Sequence, residues 1–359
     1  MTSIERVAGT TRVAWTPTSV SPSAWAEVLA SAPAALPTQT PAWLRCVCTV
    51  DGYVDASRLY HAPDGRRLIL PMVQRRWFGP WSPMASLPVG WGPAGLLGEG
   101  GIVRPEDVAM VIDDLARSPA VSVRLRPDPS AAAVWAAGVP AGVDSEARMA
   151  QAVSLEGGFD AVWRTRFRGT TRTAVRRAER AGVVVERDDT GRLAATFHRL
   201  YTLSAARWAK QGGGPAVIAR WSAARREPER KVATVAAARE AGCRIYLAYH
   251  DGRPVSGIVV LFAAGIAAYW RGAMDVTLAG PVNANDLLHR TAIQDAADAG
   301  CSAYVMGESA PGSSLARFKT KFGAVEQHYA TYRIERLPIA RTVEAARHAY
   351  NAVGALLRR

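Results

Sequence analysis

The residues best suited to chemistry lie in two short stretches, Gly307-Glu308-Ser309 and Phe318-Lys319-Thr320-Lys321-Phe322-Gly323-Ala324. The chain of 359 residues has 40 arginines but only four lysines, Lys210, Lys231, Lys319 and Lys321. Two of the four sit together here. Lysine offers a compact ammonium on a flexible stem, with a pKa that burial can lower; arginine offers neither. Lys319 and Lys321 are therefore candidates for work that a planar, always-charged group cannot do. The plainer alternative is a pair of surface lysines flanking a core Phe318/Phe322 pair. Glu308, in a Gly-flanked turn just after a strand, is a candidate general base. Its alternative is a partner for the N-terminus of the following helix. Asp275 is a second, weaker candidate.

A second pattern is cationic. Arg168, Arg172, Arg176 and Arg180 recur every four residues, with Arg177 beside them and Glu179 the sole acid between Arg164 and Arg180. On a helix these side chains share one face. Guanidinium forks match phosphate geometry, so the stripe suits RNA or a diphosphate-bearing acceptor; the alternative is a solvated helix face. The net charge of +13 lies wholly in the second half. Residues 1–150 carry 13 basic and 13 acidic side chains, and residues 151–359 carry 31 and 18. That asymmetry favours a polyanion partner for the second half, with Arg341, Arg347, Arg358 and Arg359 extending the patch.

The rest of the chain must position these groups. Its length favours two domains, divided near Ala147–Gln151: an N-terminal domain over 1–150, a C-terminal domain over 151–340 and a basic terminal helix over 341–359. A hydrophobic content of 49% is that of a soluble globular protein. No apolar run is long enough to span a membrane and no signal-peptide core is visible, which favours a cytoplasmic protein. Cys46, Cys48, Cys243 and Cys301 read as small apolar residues, and the six histidines show no ligand spacing, so no metal site is expected. Gly212-Gly213-Gly214 lacks the Lys-Ser/Thr of a phosphate loop and reads as a break.

Strands are expected at Arg12–Thr16, Ser57–His61, Arg67–Gln74, Val121–Arg126, Gln151–Leu155 and Val183–Glu186. A three-strand meander follows over Arg244–Tyr249, Val255–Ala263 and Ile266–Ala273, then Ala303–Met306 and Gln327–Arg333. Helices are expected after Ser23 and Thr40, at Pro105–Arg117, Thr171–Gly182, Arg192–Lys210, Ile218–Ala241 (interrupted near Pro228), Asn285–Gly300 and Ala316–Phe322. Trp77–Gly101 reads as a long irregular loop whose Trp77, Trp81 and Trp91 could line a pocket. This order is that of an α+β (α/β) layered fold, a mixed sheet flanked by helices.

Four blocks, in order, resemble the Fem-type (FemAB-like) aminoacyl-tRNA-dependent transferases of the GNAT acyltransferase superfamily. They are Arg172–Val183; Gly257–Val260 with Tyr269-Trp270-Arg271-Gly272-Ala273; Asn283-Ala284-Asn285-Asp286-Leu287-Leu288; and Met306–Ser309 through Phe318–Ala324. The likeness covers about residues 150–336, and before that Thr40–Leu44 matches best.

The resemblance implies tandem GNAT-like domains with an acceptor cleft between them. It implies attack of an amine on an aminoacyl ester, with Lys319 stabilising the tetrahedral intermediate or the leaving ribose oxygen. By the same match Phe318 packs near the donor's terminal adenosine, and Lys321 contacts phosphate or is exposed. Arg271 falls in a matched block as a substrate-binding candidate. Asn283 and Asn285 are binding candidates that could equally cap a helix. The donor would be aminoacyl-tRNA, with no separate cofactor. The acceptor would be a small amine or a muropeptide precursor, the smaller being slightly favoured because no coiled-coil arm is evident between Arg192 and Ala241. Many GNAT enzymes instead cradle acyl-CoA on a glycine-rich loop. Here Leu278–Asn285 has one glycine, and Pro281 removes a donor, a departure that leaves acyl-CoA as an alternative. A non-catalytic RNA-binding module is a third reading.

Overall fold

One mixed sheet of eleven strands runs through both halves of the chain. The structure is a computed structural model that describes residues 18–75, 79–211, 228–263 and 265–336. The strands are β1 (Val54–Asp55), β2 (Arg58–His61), β3 (Arg67–Leu70), β4 (Val73–Gln74), β5 (Met84–Ala85), β6 (Leu97–Gly98), β7 (Ser122–Leu125), β8 (Asp144–Ser154), β9 (Val184–Asp188), β10 (Cys243–His250), β11 (Arg253–Ala263), β12 (Ile266–Met274), β13 (Ala303–Glu308) and β14 (Val325–Glu335). Their order in the large sheet is β1-β4-β5-β7-β14-β8-β13-β12-β11-β10-β9, and β2-β3-β6 form a small second sheet. The helices are α1 (Pro22–Ser31), α2 (Pro41–Asp51), α3 (Pro105–Arg117), α4 (Ala132–Gly138), α5 (Gly158–Ala161), α6 (Gly169–Arg180), α7 (Ala194–Gln211), α8 (Glu229–Ala237), α9 (Val276–Ala279), α10 (Ala284–Asp298) and α11 (Ser314–Thr320). The fold class is the expected one, a mixed sheet flanked by helices.

Local chemistry sets the helix ends. Thr40 accepts from the Trp43 amide at 3.2 Å, Pro41 opens α2, and Gly52 closes it in the left-handed region. α1 is capped by Ser21 rather than the expected Ser23, because Pro22 fixes the first helical position. Alternation along the central strands covers both faces of the sheet. Ile245, Leu247, Val259 and Leu261 face a core shared with Trp25 and Trp43 of α1 and α2, Phe197 of α7 and Val235 of α8. Tyr246, Ala248, Ile258 and Val260 face the opposite core, with Val175 of α6 and Leu288 of α10.

Three expectations change. The boundary near residue 150 falls inside β8, which pairs with β13 on one side and β14 on the other; β14 in turn pairs with β7. The strand read at Arg67–Gln74 is two strands in different sheets, parted at Pro71-Met72. The Trp-rich loop carries β5, β6 and short 3-10 turns, and its Trp91 is fully buried against Trp43 and Trp270. The strand read at 12–16, the glycine break at 212–214, the start of the helix read from 218, Trp77 and the terminal helix lie outside the described residues.

Candidate functional site

β12 and β13 run parallel but pair only at Ile266↔Ala303, Ala267↔Tyr304 and Ala268↔Val305. Just beyond, each has an irregular register with its other neighbour: β12 with β11 at Val259/Val260, and β13 with β8 at Val305/Gly307. Bulges bend strands, and here the two partners separate around a cavity of about 290 Å³. Its walls include Tyr269, Trp270 and Arg271 of β12 and Met306, Gly307 and Glu308 of β13. Gly90, Gly92 and Pro93, with Arg126 just past β7, reach it from the first half of the chain.

Lys319 lies on α11, whose N-cap Ser313 accepts from the Ala316 amide at 3.1 Å. Its side chain is 2% exposed, and its ammonium donates to the carbonyl oxygens of Gly307 at 2.9 Å and Glu308 at 2.8 Å. Gly307 has φ +72°, a left-handed turn that glycine adopts without strain. At that turn two successive carbonyls meet one nitrogen. Burial brings the Lys319 pKa down to about 8, against a pull upward from Glu308.

The Glu308 carboxylate accepts from the Arg126 guanidinium and from the Tyr329 hydroxyl at 2.6 Å. Burial pushes its carboxyl up, but Arg126 and Tyr329 outweigh that and hold it below its ordinary value. Burial and the Glu308 charge push Tyr329 up in turn. So Glu308 stands beside Lys319 as a stabilised carboxylate of weak basicity. Behind them His289 is buried and neutral, its pKa brought down to about 3 by burial and the two lysines.

The other expected site residues divide. Phe318 is half-buried behind the cavity, against Phe322 at 5.2 Å and His289 at 5.5 Å. Lys321 pairs with the buried Asp286 at 2.5 Å and lies 4.4 Å from the Phe318 ring centroid, so its charge is already engaged. Arg271 lines the cavity and donates to the carbonyls of Trp270 and Gly90. Trp81 is 62% exposed and lies outside the cavity lining; Trp270 supplies the tryptophan there. Asn283 sits at the N-cap of α10 with φ +52° but makes no side-chain cap bond, and Asn285 accepts from Ser256 at 3.2 Å. Asp275 caps α9 through the Thr277 amide.

The arginine stripe is also uneven. Arg172 turns back onto the carbonyls of Trp163, Arg164 and Phe167, closing the preceding turn. Arg168, Arg176, Arg177 and Arg180 are exposed. α6 begins beside the helix that carries Lys319, since the Arg168 amide and the Thr171 hydroxyl both donate to the Lys321 carbonyl at 2.9 Å. Arg126 and Tyr329 were missed from the sequence: each is an ordinary residue at a strand or its end, joined to Glu308 only by sheet order. All four cysteines are free, and the described residues contain neither a metal-ligand cluster nor a helix long and apolar enough to cross a membrane.

Residues 165–320 match the family described as acetyltransferase (GNAT) domain. No curated protein matches the chain by sequence. Among solved structures, FemX superposes with a TM-score of 0.61 at 13% identity, covering 92% of this chain and all of that one. A conserved protein of unknown function from Bacteroides thetaiotaomicron VPI-5482 superposes with a TM-score of 0.53 at 9% identity, over 89% of this chain and 99% of that one. Residues 165–320 thus resemble a GNAT acetyltransferase domain, set within a fold that the chain shares with FemX over nearly its whole length.

Proposed function

We propose that this chain is an aminoacyltransferase that moves an amino acid from aminoacyl-tRNA to an amine, forming an amide bond. The observation that carries the reading is the buried Lys319 ammonium on the wall of the cavity where β12 and β13 part. The amine nitrogen attacks the ester carbonyl, the C–N bond forms and the C–O bond to ribose breaks. The proton lost by the amine is balanced by the one the leaving ribose oxygen gains. A lysine with a pKa of about 8 is well matched to that last transfer and to the oxyanion before it. In this reading Glu308 holds Arg126 and Tyr329 in place rather than acting as a base. The exposed Arg168, Arg176, Arg177 and Arg180, on a helix that starts beside Lys321, would carry the tRNA backbone.

An acyl-CoA donor is the second reading, favoured by the acetyltransferase description of the matched domain. Against it stands the approach to α10, where Pro281 lacks an amide proton and Asn283 takes the left-handed turn. The test is transfer of labelled amino acid from charged tRNA, and of labelled acetyl from acetyl-CoA, to a panel of amines. Product from charged tRNA, lost by about a hundredfold or more in Lys319→Met, supports the proposal. Product from acetyl-CoA alone moves the assignment to the second reading. Full activity in Lys319→Met removes the catalytic role given to this lysine.

A further inference from the structure

The cavity between β12 and β13 is unevenly charged. Among the described residues its lining holds three cations, Arg126, Arg271 and Lys319, and one carboxylate, Glu308. That carboxylate is shared between Arg126 and Tyr329. Lys319 spends two of its three N–H bonds on the carbonyls of Gly307 and Glu308, which leaves one for a ligand. Carbonyl dipoles do not cancel a charge, and a cleft whose lining carries an excess of one sign of charge concentrates that field on whatever enters.

Size and walls narrow the ligand. A cavity of about 290 Å³ lies at the small end of ligand pockets, which run from roughly 300 to 1,000 Å³. That accommodates a group the size of one amino acid, and is small for a nucleotide or a muropeptide. Leu36, Leu261, Tyr269, Trp270 and Leu315 supply apolar wall, and Glu308 would repel the second charge of a phosphate.

We propose that this cavity takes an amino-acid-sized substrate through a carboxylate, with Arg126 and Arg271 as its counter-charges and the Lys319 ammonium close enough to feel the anion while its remaining N–H stays with the reacting ester. The inference rests on the acyltransferase reading only in calling the ligand a substrate. The carboxylate has two sources. It belongs either to a free amino acid that serves as acceptor, or to the acidic side chain of the transferred group.

The test is calorimetric titration of the full chain with two sets of probes. One set is the L-amino acids against their α-carboxamides. The other is Nα-acetyl-aspartate and Nα-acetyl-glutamate α-amides against the asparagine and glutamine counterparts. The expected result is at least one acid binding about tenfold or more tighter than its amide. Preference for the α-carboxylate names the acceptor; preference for the side-chain carboxylate names the transferred group. Binding should take up protons between pH 8 and 9, because an anion beside Lys319 raises its pKa again; the heat then varies with the ionisation enthalpy of the buffer. Arg126→Lys should keep part of the preference and Arg126→Gln should abolish it. Since Arg126→Gln alone strands Glu308, the pair Arg126→Gln/Glu308→Gln is measured alongside it, with folding checked by circular dichroism. Equal binding of acids and amides, binding of none of the probes, or displacement of every acid by inorganic phosphate would overturn the proposal. Absence of transfer from every donor, with the carboxylate preference intact, would sink the acyltransferase reading and leave this site standing.

Discussion

Lys319 is held in a place that lowers its affinity for a proton. Its pKa falls from 10.5 to about 8 because burial penalises the charged form. Between those values the unfolded chain binds more protons than the native one, so stability rises with pH across that window. Below pH 8 the native state bears the whole cost, roughly 3 kcal/mol at most. We expect the urea midpoint of the wild type, relative to Lys319→Met, to climb from pH 8 to 10.5 and to be flat from pH 6 to 8. A flat difference throughout would mean that the lysine is as well solvated as in the unfolded chain. Transfer activity should run the other way and fall above about pH 8, as the ammonium is lost. The scarcity of lysine marked this residue from sequence alone. The carbonyls it meets, and the pairing of Glu308 with Arg126 and Tyr329, were not legible there. Neither partner of Glu308 lies near it in the chain.

At the scale of elements, α6 separates roles that its sequence shows as equal. The four-residue repeat put Arg172 on the same stripe as Arg168, Arg176 and Arg180, and periodicity carries no more information than that. The chain before the helix doubles back, so Arg172 faces the carbonyls of Trp163, Arg164 and Phe167 and caps a turn. The other three, with Arg177, remain exposed. We expect Arg172→Ala to lower thermal stability by about 1 kcal/mol, because partly buried carbonyls lose a charged donor, with little change in the salt dependence of tRNA binding. Arg176→Ala/Arg177→Ala/Arg180→Ala should leave stability nearly unchanged. It should weaken tRNA retention on filters and reduce the slope of log K against log salt by up to ~3. Similar behaviour of the two variants would contradict this division. The cavity is likewise a product of elements: β12 and β13 were each legible as strands, but the irregular registers that part them depend on their neighbours.

For the whole molecule, the decisive feature is the sheet order. β8 lies between β13 and β14, and β14 joins β7 of the first half. The apolar cores cross the boundary as well, since Trp25 and Trp43 pack with Phe197, Leu247 and Trp270. We expect the full chain to unfold in one cooperative transition, with calorimetric and van't Hoff enthalpies equal. Separately expressed 1–150 and 151–359 should lack the cooperative thermal transition of the whole. Two resolved transitions, or a stable isolated half, would show that the halves fold on their own. Because Gly90 and Arg126 come from the first half to a cavity built on the second, neither half would hold the complete site.

The sequence by itself determined the order and type of most elements, through alternation, helix periodicity and caps such as Thr40-Pro41, because those signals are local. It also brought Lys319 and Glu308 forward as chemistry-bearing residues, through composition and a resemblance spread over four blocks. Only the tertiary structure decided which charges are spent and which face the cavity. Lys321 is engaged by Asp286, Arg172 by backbone carbonyls and Glu308 by Arg126 and Tyr329. The Lys321 and Glu308 pairings join residues far apart in the chain, the Arg172 contacts need the chain to double back before α6, and their strength depends on burial, which no local pattern encodes.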